Sequence, residues 1–259
     1  MPAGSFPQTA PTYGTYQWLQ LRVGLYLRAD LGMPNLETTA NYEQWDAYQN
    51  GVVDHIIQSG VKEFYTPILA PGQKTPYPWS FLKVAGSITQ ASGTYNYALP
   101  ADFGGWVGDF NSPANGGHRR IKVIYDGDMR ASQSMEETDG DPEYVSVRAV
   151  AHSDMTADQT FELQFHPKPN TTDDIEFNYT VNPGLLTTTN LWPSGVRGHA
   201  ETIAASCLAK AEQIIKGQVG PMQQMFERRL QASVMLDLQF QHDSQDFPNV
   251  FDLQAGRQD

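Results

Sequence analysis

The sequence predicts an α+β fold: a helical bundle, built from an N-terminal helix pair and long C-terminal helices, with a mostly antiparallel β domain inserted into it. Three observations carry this expectation. Apolar residues recur at helical spacing at both ends of the chain, alternate with polar ones through the middle, and the turn signals cluster in that middle stretch. The order helices, strands, helices is that of α+β rather than of alternating βα units. It divides the chain into a flexible N-terminal arm (1–14), N-terminal helices of the bundle (15–70), an inserted β domain (71–185), C-terminal helices of the bundle (186–242) and a C-terminal tail (243–259).

Residues 1–14 are rich in Pro, Gly, Ser and Thr and read as an arm. From Thr15 to about Leu31, Trp18, Leu21 and Leu25 fall at helical spacing, and Gly32-Met33-Pro34 is a stop signal. A second helix is expected to open at Asn41 with Gln44 as its capping-box partner. Its apolar stripe would be Trp45, Tyr48, Val52 and Ile56, and Gly60 would close it. Phe64, Tyr65 and Pro67 end this block.

After Gly72 the period changes to two. Residues 80–100, Arg119–Asp126 and Glu143–His152 read as strands separated by Gly104-Gly105, Asn115-Gly116-Gly117 and Asp139-Gly140-Asp141-Pro142. Phe161, Leu163 and Phe165 share one strand face, and Ile175, Phe177, Tyr179 and Val181 share another. With a polar Pro/Asn/Asp turn between them, these two strands predict a hairpin, for about five to seven strands in all. A helix follows from His199 to Lys216, with Ile203, Cys207, Ala211 and Ile214 or Ile215 as its stripe. Gly217, Gly220 and Pro221 interrupt it. A last helix, from about Pro221 to His242, carries Met225, Phe226, Leu230, Val234 and Leu238, with proline suited to its first turn. The tail is polar and acidic with an apolar interruption from Phe247 to Leu253.

The 259 residues, 40% apolar, suffice for one elaborate domain or two small ones. A net charge of −12 argues against avid binding to a nucleic-acid backbone, which depends on clustered Lys and Arg. Acidity does suit a channel along which DNA must slide without sticking. The single cysteine, Cys207, excludes an internal disulfide and a cysteine zinc site, and reads as a small buried residue. No run approaches the roughly 18 apolar residues of a membrane span. The first residues lack the pattern of a signal peptide, so a soluble product made in the cytoplasm is expected.

No catalytic, cofactor-binding or metal-binding residue stands out, and no cofactor or enzymatic activity is expected. Asp126-Gly127-Asp128 and the acids of 136–141 lack the alternating ligands and closing glutamate of a calcium loop, so they read as solvated acidic loops. The six histidines form no HxxxH or HExxH spacing, and there is no GxSxG, GxxxxGK[ST] or post-strand GxGxxG. An acidic, aromatic-rich chain could hold a glycosidase carboxylate pair, which keeps a glycan-binding or glycan-degrading tail accessory protein as the alternative. Trp18 and Trp45 lie on helical stripes and read as core. Trp79, Trp106 and Trp192 lie beside Pro or Gly and read as exposed partner anchors. Arg119-Arg120 reads as solvated or carboxylate-paired. Arg228 and Arg229, with Glu227, form a charged face suited to contacts between copies, and Phe247 and Phe251 are further partner-interface candidates in the tail.

Leu99, Pro100, Asp102 and Phe103 (LPADF), then Phe165, Pro167 and Pro169, then Tyr179 and Pro183, then His199 and Ala200 occur in a telling order. In that order and spacing the chain resembles tailed-phage head–tail connector proteins, of the adaptor or gatekeeper group that includes the podovirus tail tubular protein A. The likeness spans about residues 15–240, and helices ending at Phe64 or Tyr65 fit it. The stretch 104–160 and the C-terminal helix with its tail are longer than in compact members. The resemblance implies a homo-oligomeric ring, commonly of twelve copies, docked below the portal protein in the virion neck. Such a ring extends the DNA channel, passes double-stranded DNA without sequence-specific binding, and offers a platform to a tail or nozzle protein, with no membrane involved. The C-terminal region after Ile215 is expected to reach the portal, and the β region to pack on neighbours or face the tail.

Overall fold

A computed structural model describes residues 11–32, 45–69, 74–112, 119–135, 139–150 and 159–239. The chain forms two compact units, one made of residues up to Ser80 and from Leu185 onward, the other of Phe81–Gly184. The first is helical and the second is built on a sheet, as the α+β expectation requires.

The helical unit contains α1 (Tyr16–Leu27), α2 (Ala47–Tyr65), α4 (Val196–Lys216) and α5 (Pro221–Leu238). The small-residue helix α4 is its centre and packs against each of the other three. Thr15 caps α1 by accepting from the Trp18 amide at 3.3 Å. The buried residues of α1 are Tyr16, Trp18, Leu19, Val23, Gly24 and Leu27, so Trp18 of the expected stripe is buried while Leu21 is half-buried and Leu25 exposed. The expected start of α2 is displaced. Asn41 and Gln44 lie outside the described residues, whereas Asp46 and Gln49 form the capping box, with bonds of 2.7 and 3.1 Å. A carboxylate at the cap and an amide three residues on satisfy two otherwise orphaned donors, which fixes the start here. Of the predicted stripe, Trp45 and Ile56 are buried but Tyr48 is 73% exposed, and Val53, Ile57, Val61 and Phe64 complete the core-facing side.

Gly60 does not end α2. It lies inside the helix, where an added Cβ would come within 2.5 Å of the Cys207 Cα atom of α4. The Ser206 hydroxyl donates to the Gly60 carbonyl at 2.7 Å, so the glycine is there for helix–helix approach rather than for termination. On α4, Ile203, Cys207 and Ala211 are buried as the stripe predicts, while Ile214 is exposed. Gly217 closes α4 in the left-handed conformation, φ 65°. Proline opens α5, where Phe226, Leu230 and Val234 are buried and Leu238 is largely exposed.

The second unit holds a seven-stranded sheet in the order β1 (Lys83–Thr89), β9 (Asp174–Val181), β3 (Phe103–Ser112), β4 (Arg119–Val123), β6 (Tyr144–Ala149), β7 (Phe161–His166), β2 (Asn96–Ala98). A two-stranded ribbon pairs β5 (Asp139–Gly140) with β8 (Lys168–Pro169). All neighbours in the main sheet are antiparallel except β4 and β6. That parallel pair encloses a helix the sequence reading missed, α3 (Asp126–Met135), which supplies the crossover a parallel pair needs. Asp126 and Asp128 occupy its first turn, where carboxylates favour the helix dipole, and Asp126 pairs with Arg130 at 2.8 Å. The solvated acidic loop expected at Asp126-Gly127-Asp128 is therefore a helix start. Helix α3 covers one face of β6 and β7, which explains why Ser146 and Gln164 are buried.

The predicted hairpin of 161–181 does not form. β7 pairs with β6 and β2, whereas β9 pairs with β1 and β3. Pro167 and Pro169 remove amide donors from the intervening segment, and Lys168–Pro169 pairs with β5 instead. The side-chain faces were legible all the same. Leu163, Phe165, Ile175, Phe177 and Tyr179 belong to one buried cluster with Phe110 and Ile121, and Phe161 and Val181 pack against it.

Candidate functional site

Trp79 departs most from expectation. It is not an exposed anchor but is 1% exposed, because its indole Nε1 donates to the Phe64 carbonyl at the end of α2, 2.8 Å away. The Phe64 ring lies 4.7 Å from it, Tyr77 meets it edge-on at 4.9 Å, and His199 of α4 lies at 5.3 Å. Proline-rich flanks marked a loop here, and a loop that returns over a helical core can bury its largest side chain. Beside this cluster, Asp237 of α5 is 1% exposed and accepts from the Tyr77 hydroxyl at 3.0 Å and from the Ser80 amide and hydroxyl. Burial lowers the His199 pKa below its ordinary value, and the nearby Asp237 charge opposes that shift. Asp237 lies at helical spacing from Leu230 and Val234 on the apolar face of α5, but so does the exposed Glu227, so spacing alone does not single it out.

Trp106 and Trp192 do sit at the surface, 47% and 52% exposed. Trp106 is in strand β3 opposite Tyr179, not in a loop, and Trp192 lies in the irregular segment before α4. Arg228 is exposed and makes no ion pair among the described residues. Arg229 is paired: it shares Glu201 of α4 with Arg22 of α1, at 3.5 and 2.8 Å. Two guanidinium groups on one carboxylate leave a surplus positive charge on this helical face. Arg22 also stacks over Trp18 at 4.8 Å. Trp18 and Trp45 are buried, as their stripes implied. The Arg119 and Arg120 pair is engaged by carboxylates, Arg119 with Glu143 at 2.8 Å and Arg120 with Asp109. Phe247 and Phe251 lie outside the described residues.

The described interface candidates differ in their surroundings. Trp79 belongs to a core, Arg229 to an intramolecular network, and Trp106, Trp192 and Arg228 are exposed. No group of three or more His, Cys, Asp or Glu among the described residues is placed to hold a metal ion. Cys207 is fully buried with its thiol pKa pushed up by desolvation.

With no reactive constellation to interpret, the decisive observation comes from the whole chain: a family model described as SU10 adaptor protein matches residues 14–250. The chain belongs to the SU10 adaptor protein family. The match runs through both units and nearly all the described structure, so the SU10 adaptor assignment covers helices and sheet alike. It supports a phage adaptor with a structural head–tail role, and an adaptor of this kind is a non-enzymatic protein. The narrower likeness to podovirus tail tubular protein A gains nothing from the match. No curated protein matches this SU10 adaptor.

Proposed function

We propose that the protein forms a ring, of twelve copies, below the portal protein in the virion neck, where it extends the channel for double-stranded DNA and gives a tail or nozzle protein its platform. The adaptor-family match over 14–250 carries this reading. In it, the helices of 15–70 and 186–242 build the ring body, the β domain of 71–185 is the insertion, and the arm and tail (1–14 and 243–259) reach neighbouring molecules. Head-to-tail contact in a ring sets different faces of one subunit against each other, and exposed Trp106, Trp192 and Arg228 serve as anchors in it. The C-terminal region beyond Ile215 faces the portal, with Arg228 on its exposed side. The net charge of −12 keeps passing DNA from binding the wall. Among the described residues no helix is long and apolar enough to cross a membrane, and the reading requires none.

Negative-stain microscopy of the purified protein, alone and mixed with its portal, tests this. Rings or portal-docked multimers are expected. A strict monomer that ignores the portal and binds oligosaccharide would sink the proposal in favour of the glycan-binding alternative.

A further inference from the structure

The two outer strands of the main sheet differ in how they end it. β2 spans only Asn96–Ala98, and a short edge strand offers little to pair with. β1 has seven residues, pairs with β9 residue for residue without a bulge, contains no proline, and carries one charge, Lys83, at its start. Along the rest of its length it shows none of the usual edge protection among the described residues.

The hydrogen-bond phase of β1 follows from its register. Beyond the strand, the Gln90 amide donates to the Asp173 carbonyl at 2.8 Å, so even-numbered residues of β1 bond to β9. On the other side of β9, the Asn182 amide donates to the Asp102 carbonyl of the β3 side at 2.7 Å, which fixes the same phase. Ala85, Ser87 and Thr89 therefore aim both amide and carbonyl away from the sheet, and these groups have no hydrogen-bond partner among the described residues. All three residues are exposed.

The side chains around this edge define what fits it. On the inward face Val84 and Ile88 are only half-buried against the cluster of Phe177 and Tyr179, so apolar side chains would complete their cover. On the outward face β1 presents small residues, Ala85 and Ser87. Behind Ser87, directly opposite it on β9, stands exposed Glu176, and behind Thr89 stands Asp174. Glu176 makes no ion pair among the described residues. A strand added beside β1 would lie roughly 10 Å from β9, two strand spacings, a gap that Lys or Arg and Glu together can bridge over a small residue.

We infer that the free edge of β1 is a docking site for an extended segment of a partner protein that alternates apolar residues with lysine or arginine. The backbone groups of Ala85, Ser87 and Thr89 supply the ladder, Val84 and Ile88 the apolar face, and Glu176 the charge selection. The site goes beyond the ring-and-portal reading and does not depend on it.

The test titrates full-length protein into a dye-labelled peptide of about seven alternating Val and Lys residues, and into its Val/Glu counterpart. Saturable binding of the lysine peptide is expected, with the glutamate peptide weaker. Ser87→Pro removes an edge-facing amide that β9 does not use, so it should keep the fold, checked by its melting curve, and reduce binding by roughly tenfold or more. Glu176→Lys, a surface change, should weaken the lysine peptide by roughly two- to fivefold and narrow its advantage over the glutamate peptide. No saturable binding, or equal binding by both variants and wild type, overturns the site. Loss of self-association in Ser87→Pro without any peptide binding assigns the edge to a second copy, and also overturns it.

Discussion

Gly60→Ala tests how the helical unit is held together. On intrinsic propensity alone the substitution favours the helix by about 1 kcal/mol. At the α2–α4 crossing, however, the new Cβ would sit 2.5 Å from the Cys207 Cα and 2.7 Å from its amide nitrogen. Carbon atoms need about 3.5–4.0 Å, and the atoms in the way are backbone, so no rotamer change relieves the clash. The helices must part by about 1 Å, which also stretches the 2.7 Å bond from Ser206 to the Gly60 carbonyl. Overpacking costs about 1–3 kcal/mol and the weakened buried bond about 1 more, so after the propensity gain the net loss is about 1–3 kcal/mol. Gly51, in the same helix, has nothing within 4 Å of its added Cβ. Gly51→Ala should therefore stabilise by about 0.5–1 kcal/mol. Urea unfolding should move the two midpoints in opposite directions at unchanged slope. A Gly60→Ala protein as stable as wild type would refute the account of the crossing.

Trp79→Ala should cost about 3–5 kcal/mol, whereas Trp106→Ala and Trp192→Ala stay within about 0.5 kcal/mol and affect partner binding only; thermal melts by circular dichroism separate the classes. Asp237→Ala leaves the Tyr77 hydroxyl and the Ser80 amide without this acceptor and should lower stability by about 2–3 kcal/mol, read by the same melts. Glu212, 4% exposed, accepts from the Met222 amide at 3.0 Å at the start of α5, so Glu212→Gln should cost about 0.5–1 kcal/mol through lost charge at the helix N-terminus. His199 binds a proton less readily folded than unfolded, so acidification favours the unfolded chain. Its contribution is present above the ordinary histidine value of about 6.5 and is lost as pH falls below it. The midpoint temperature should drop on acidification through that range and drop less in His199→Gln; an identical slope in the variant would place the titration elsewhere.

The sequence was most legible where one periodicity ran unopposed. The faces of β7 and β9, and the Ile203, Cys207 and Ala211 stripe of α4, could be read because alternate or fourth residues are apolar whatever they pack against. Strand partners could not be read that way. A period of two names a face but not a neighbour, so β7 and β9 looked like a hairpin although Pro167, Lys168 and Pro169 lead elsewhere. Helix phase was misjudged in α2 because Tyr48 stands at helical spacing from Val52 and Ile56, yet faces outward. Gly60 resembled a stop because glycine serves both termination and close approach, and only the facing Cys207 distinguishes them. Among the expected interface residues, exposure of Trp106 and Trp192 was legible, while burial of Trp79 depended on a loop folding back onto Phe64, a long-range event with no local signal.

Cys207 gives this architecture a reporter of its own. The only thiol in the chain sits at the α2–α4 crossing, fully buried, with its Sγ 3.8 Å from the Ile57 carbonyl. Reagents that attack thiolates cannot reach it while the helices stay together, and burial also suppresses the reactive form. Its labelling rate therefore measures how often the centre of the helical unit opens, residue-specifically and without any substitution. Followed in the free protein and after assembly, that rate converts a static crossing into a clock for the stiffening that partners impose.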